Sequence, residues 1–341
     1  MSNRISAPSP NQLASSAPSP SQLASSAPKR KPWKDVSGQI QRLRDRELSL
    51  STADEITLTN FLKENNYYRF SGYFRQFYIW NSDPNGGDYF IPETTLAELL
   101  EVYYLDDLLR EHLYVGLRKI ELFLRNKISY NFAQVRGVED RYNLPSMYKP
   151  TRPSNNPPDR ISAESWRRKH AFWVENRDIL LSNIKNILER DEKYLEYFKN
   201  QGQVPPLWAA VDAFSFGDLA RMLEVWRDDA QVNSLARELG FAASRDLRKA
   251  VGNINYFRNI VAHHGRIMGR SISRSVVNPP WVCGKQRLSF DILPDVSPMR
   301  IILLINNWVD YISGDNDYSE QSWKILEMNE TYLRKIVYPT V

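Results

Sequence analysis

The sequence predicts an all-α protein, and three observations carry that prediction. Residues 95–133 place Leu99, Val102, Leu105, Leu109, Leu113, Leu117, Ile120 and Leu124 at spacings of three or four, the period of a helix with one apolar face. Helical periodicity returns over 165–198, 209–226, 244–263, 301–312 and 322–337. Only residues 288–293 read as a short strand.

The elements follow in order. A decapeptide, SAPSPNQLAS over 6–15, repeats as SAPSPSQLAS over 16–25. Its Ser, Pro and Ala bury too little apolar area to offset chain entropy, so residues 1–32 are expected to be a disordered tail. Residues 33–94 read as an N-terminal helical region. Gln39 to Leu43 form a short amphipathic helix, and Thr52 with Glu55 fits a capping box that opens a helix running through Leu62. Tyr67, Tyr68 and Tyr73 stand in an aromatic-dense block, where filling a core is favoured over stacking on bases. Asp83-Pro84-Asn85-Gly86-Gly87-Asp88 is a loop. Residues 95–341 form the main helical domain, with an irregular insertion around 137–165. The helix over 209–226 is expected to be interrupted near Gly217, and Asn278-Pro279-Pro280 stops any helix before it.

Composition narrows the function classes. Cys283 is the only cysteine, which excludes an intrachain disulfide and a Cys-rich zinc site. The longest aliphatic run, five residues from Ile301, is far too short for a membrane span. No apolar signal-peptide region opens the chain, so a cytoplasmic protein without membrane contact is expected. The formal charge of +5 matches the five basic residues of the tail region, Arg4, Lys29, Arg30, Lys31 and Lys34. A nucleic-acid argument must therefore rest on local clusters. Residues 244–287 supply one: Arg245, Arg248, Lys249, Arg258, Arg266, Arg270, Arg274, Lys285 and Arg287 face a single acid, Asp246.

Within the helix over 244–263, Leu247, Ala250, Val251, Ile254, Phe257 and Val261 form one apolar stripe. At about 100° per residue, Asn259 and His263 lie together on the opposite face. Arg258 lies nearer the stripe, about 140° from His263 on an ideal helix. The two converge if the arginine bends round or if the helix ends near Ala262, where Gly265 supports a stop. An imidazole titrating near neutrality can take the 2′-hydroxyl proton of RNA or protonate the leaving 5′-oxygen. A guanidinium can clamp the phosphate and stabilise the charge that grows on it. Such a pair calls for no metal or cofactor, and yields a 2′,3′-cyclic phosphate and a 5′-hydroxyl. One chain holds one set, and a symmetric homodimer would place two across a cleft.

Phe257-Arg258-Asn259-Ile260-Val261-Ala262-His263-His264-Gly265-Arg266 resembles the RNxxAHHxR signature of bacterial Abi-like proteins of the AbiD/AbiF type, in the HEPN ribonuclease superfamily. Four other stretches resemble family blocks in the same order: Lys31-Pro32-Trp33, Asn66 to Tyr73, Arg118 to Arg125, and Pro206-Leu207-Trp208 through Gly217. The likeness covers roughly residues 30–310. It implies a HEPN-like helical bundle and a role in abortive infection or as the toxin of a toxin–antitoxin pair. Arg258 and His263 would be catalytic, with Asn259 and His264 supporting them. Glu121 and Arg125, four apart on one helix face, form a local ion pair on spacing alone. The resemblance implies that their helix packs beside the site and orients Arg258 or His263. Arg245, Arg248, Lys249, Arg266, Arg270 and Arg274 are the expected RNA contacts. The expected partners are an RNA substrate, a noncoding RNA or protein antitoxin, and a second copy of the chain. The alternative is a non-catalytic module that sequesters a small or noncoding RNA.

Overall fold

The computed structural model describes residues 32–79, 88–133, 141–149, 162–190, 192–281 and 287–339. The decapeptide tail, the loop at 83–87, residues 150–161 of the irregular insertion, Cys283 and Lys285 lie outside the described residues. Val36–Arg44 (α1) packs on Thr52–Glu64 (α2), and Tyr67–Ser71 (α3) follows. Tyr78–Ile79 (β1) pairs antiparallel with Tyr89–Phe90 (β2), with Tyr78 opposite Phe90. This hairpin was not expected from the sequence. The capping box of α2 is displaced by one residue from the expected position. Ser51 is the cap, its hydroxyl accepting from Asp54 N while the Asp54 carboxylate accepts from Ser51 N.

The spine is Leu96–Ala133 (α4), 38 residues long, or about 57 Å at 1.5 Å per residue. Thr95 and Glu98 cap it reciprocally. Its predicted apolar stripe is buried from Leu99 to Leu124 and continues through Ile128 and Phe132. Ala163–Glu189 (α5) ends at Arg190, earlier than the period suggested, and Glu196–Asn200 (α6) is separate. The helix expected over 209–226 divides into Leu207–Ala210 (α7) and Phe216–Val225 (α8). The break falls before Gly217, not at it, because Ser215 and Asp218 make a new capping box that restarts the helix. Asp229–Glu238 (α9) was missed by the sequence reading. Ser244–Ala262 (α10), Pro298–Ser313 (α11), Asp317–Leu326 (α12) and Glu330–Val337 (α13) complete the fold. Residues 288–293 form no strand: Phe290–Ile292 is a single 3₁₀ turn.

Thirteen α-helices among the described residues make the protein all-α, as predicted. Helices α9, α10, α11 and α12 pack along α4, and α8 is held between α5 and α10. Close approach of α12 to α4 needs Gly116, where a Cβ would overlap the Tyr318 ring. The Tyr318 hydroxyl donates to His112 O across that contact, at 3.0 Å. All but one of the buried apolar residues, Leu195, form one cluster from Ile40 to Val337. Tyr73 joins it in edge-on contacts with Tyr103, while Tyr68 is 86% exposed. No helix among the described residues is long and apolar enough to cross a membrane.

Candidate active site

The site is built at the C-terminal end of α10. Its N-terminus has no side-chain cap of its own, and Asn233 of α9 supplies one, accepting from Ser244 N at 2.7 Å. Leu247, Ala250, Val251, Ile254, Phe257 and Val261 are buried as predicted, leaving Asn259 and His263 exposed. The helix ends at Ala262 with His263 as its cap. His264 N donates to Val261 O at 3.0 Å and Gly265 N to Ile260 O at 2.7 Å, the paired bonds of a Schellman stop. The left-handed position of that motif is held by His264, at φ +54°, and not by Gly265. This exposed histidine sits in a conformation that costs an L-residue roughly 1–2 kcal/mol. His264→Gly is expected to change stability by less than about 1 kcal/mol, because the strain released offsets the greater chain entropy of glycine. His264→Val, β-branched, is expected to cost more than about 1 kcal/mol. Urea unfolding midpoints of the two variants check this, and equal midpoints would contradict a strained stop.

Arg258 is half-buried and bends toward α4, its Nε 3.8 Å from Glu121 Oε2. Its Nη1 also donates to Asn259 Oδ1 at 3.4 Å. Glu121 accepts from Arg125 Nη2 at 2.5 Å, and Arg125 Nη1 donates in turn to Val211 O. Glu121 and Arg125 therefore form the local ion pair and also stand beside Arg258. No hydrogen bond joins Arg258 to His263, and neither His263 nor His264 has a side-chain hydrogen bond among the described residues. His264 lines a cavity of about 410 Å³ with Asp107, Arg110, Glu111 and Tyr114 of α4.

The residues after His264 are anchored by a carboxylate the sequence reading did not single out. Asp106 is fully buried and accepts from Ile267 N at 3.1 Å, Met268 N at 2.9 Å, the Tyr73 hydroxyl at 2.7 Å and the Tyr332 hydroxyl at 3.1 Å. Arg110 Nη1 is the fifth donor, and Arg110 Nη2 reaches Asp107. Burial, and then the Asp106 charge, push both phenols far above the usual tyrosine range, which keeps them protonated donors. Burial opposes the charge of Arg110, but Asp106 and Tyr73 outweigh it, so its pKa is raised. The sequence carried a signal for this hub. Asp106 falls on the apolar face of α4, between Val102 and Leu109, where a carboxylate must find partners.

Three arginines of the predicted basic cluster are answered by acids from other elements, and Arg245 by the acid of its own helix. Arg245 pairs with Asp246, Arg248 with Asp229, Arg258 with Glu121, and Arg287 with Glu320 and Glu327. Arg248 is turned inward and donates to Leu223 O at 2.8 Å, so it braces α8 and offers no free guanidinium. Arg266 lies 5.8 Å from the Tyr73 ring centroid, with Nη1 buried, and burial lowers its pKa. Its guanidinium packs on the Tyr73 ring, and its Nη1 has no hydrogen-bond partner among the described residues. Arg270 donates to Arg266 O, and Arg274 covers the Tyr256 ring at 4.8 Å. Lys249 is exposed.

A family model described as Abi-like protein matches residues 60–268. The chain belongs to the Abi-like family. No curated protein and no solved structure matches it. The matched span of this Abi-like protein opens in α2 and closes on Met268, whose N–H is held by Asp106. It thus encloses Asp106, Glu121, Arg125, Arg258 and His263. Membership suggests a part in abortive infection, a defence against phage, and is consistent with a nuclease role.

Proposed function

We propose that this Abi-like protein is a HEPN-type endoribonuclease that acts as an abortive-infection toxin in the cytoplasm. The observation that carries the reading is the end of α10, where Arg258, held by Glu121, and the exposed His263 share one helix terminus. In this reading the RNA 2′-oxygen attacks phosphorus as one imidazole removes its proton, and the P–O5′ bond breaks as another protonates the 5′-oxygen. The Arg258 guanidinium stabilises charge on the phosphate, with Asn259 and His264 supporting. A second copy of the chain supplies the second set across a two-fold axis. Restraint in the host falls to a noncoding RNA or protein antitoxin.

The direct test incubates purified protein with single-stranded RNA in EDTA. The expected result is cleavage to 2′,3′-cyclic phosphate ends, and cleavage that appears only with added Mg²⁺ would overturn the metal-independent mechanism. The engagement of Arg258 by Glu121, with no bond to His263, favours a second reading, a non-catalytic RNA-binding module. Binding without cleavage, unchanged by His263→Ala, would select it.

A further inference from the structure

Beside Arg125 lies a cavity of about 570 Å³ that the catalytic reading leaves unused. It opens between α4 and the turn that begins with α7. Tyr130 stands on α4 and is 63% exposed, while Trp208 stands on α7 and is 55% exposed. Trp208 belongs to the segment from Pro206 to Gly217 that the sequence comparison singled out and the proposed chemistry does not employ. Both aromatic side chains line this one cavity and are open to solvent, which offers a planar ligand faces to stack on. Trp208 is braced edge-on by Phe198, with ring centroids 5.9 Å apart. The turn itself is fastened to α4 by the bond from Arg125 Nη1 to Val211 O.

The polar lining decides the class of ligand. Asn126 and Asp212 line the cavity, both are exposed, and neither side chain has a hydrogen-bond partner among the described residues. An Asp212 carboxylate repels a phosphate but accepts from an exocyclic amino group, and an amide such as Asn126 both donates and accepts. Arg125 lines this cavity and also binds Glu121, which pairs with Arg258. A nucleotide whose phosphate met Arg258 would have this cavity adjoining it.

We propose that this cavity is a nucleobase subsite, in which an RNA base bearing an exocyclic amino group stacks on Trp208 and Tyr130 and hydrogen-bonds to Asn126 and Asp212. The proposal rests on the ribonuclease reading and adds base selection to it. The test measures binding of labelled oligoadenylate and oligouridylate by anisotropy, using full-length protein carrying His263→Ala so that the RNA stays intact. Adding Trp208→Ala is expected to weaken oligoadenylate binding about tenfold or more. Trp208→Phe should keep most of the affinity, and Asp212→Asn should remove the preference for adenine over uracil. The subsite is wrong if Trp208→Ala binds like its parent while Arg258→Ala binds weakly, an outcome that leaves the RNA reading intact. It is also wrong if Trp208→Ala instead converts a dimer to monomer in sedimentation, which would make the aromatic pair a contact between copies. A parent protein that binds neither oligonucleotide overturns the RNA reading and the subsite together.

Discussion

Asp106→Ala is expected to lower stability by roughly 3–5 kcal/mol, the usual cost of removing one partner from a buried ion pair. Domains of ordinary stability hold only about 5–15 kcal/mol in total, so much of the fold's margin is at stake. Five donors from four segments converge on this carboxylate: Tyr73 after α3, Arg110 of α4, Ile267 and Met268 after α10, and Tyr332 of α13. Alanine takes the acceptor away from two backbone N–H groups and two phenols in the core, and it leaves Arg110 with only Asp107 and the Tyr73 hydroxyl. Tyr332→Phe removes a single donor and should cost only about 0.5–1.5 kcal/mol. Urea unfolding followed by circular dichroism compares the two, and an Asp106→Ala loss below about 1 kcal/mol would dismiss the hub as a keystone.

The same cluster sets a response to alkali. The folded pKa values of Tyr73 and Tyr332 lie above the ordinary value of 10.0. The stability these groups contribute is fully present below pH 10 and declines as pH rises above it, because the unfolded phenols ionise and the buried ones do not. Each such group contributes a slope of about 1.4 kcal/mol per pH unit in that window. Unfolding midpoints between pH 9 and 11 should fall less steeply in Tyr332→Phe than in the parent.

His263→Ala is expected to reduce RNA cleavage about 10²- to 10⁴-fold, the range typical of a lost general acid or base. The fold should be untouched, since the imidazole is exposed and makes no hydrogen bond among the described residues. Arg258→Lys keeps the charge but loses the planar fork that clamps a phosphate, so it too should fall well below the parent. Loss of a transition-state donor of this kind costs about 10²- to 10³-fold. Single-turnover cleavage of a defined single-stranded RNA measures both variants. A His263→Ala protein that cleaves at the parental rate would place the chemistry elsewhere.

Local signals in the sequence pointed to the candidate site, and distant contacts decided how its side chains are paired. The apolar stripe of α10 told which face was open, so the exposure of Asn259 and His263 was legible in the sequence. The stop at Ala262 was legible too, from Gly265, but the residue that turns left-handed there is His264. Backbone propensity favours glycine there, and the helix frame overrides it. The excess of basic residues over 244–287 is answered in part by the fold. The acids that answer it, Glu121, Asp229, Glu320 and Glu327, lie on α4, α9 and α12, or immediately after α12. Helix α9 was missed because its ten residues interleave polar and apolar positions too briefly for a clear period.

By itself the sequence determined the all-α class, the 38-residue spine, the motif at the end of α10 and kinship with the Abi-like family. Each is written in short-range periodicity or in a contiguous block of residues. Only the tertiary structure decided that Arg258 bends to Glu121, that Arg266 packs on Tyr73 and that Asp106 gathers four segments. The physical reason is common to all three. A charged side chain in or near a core takes whichever partner the packing brings within reach, and sequence distance sets no bound on that choice.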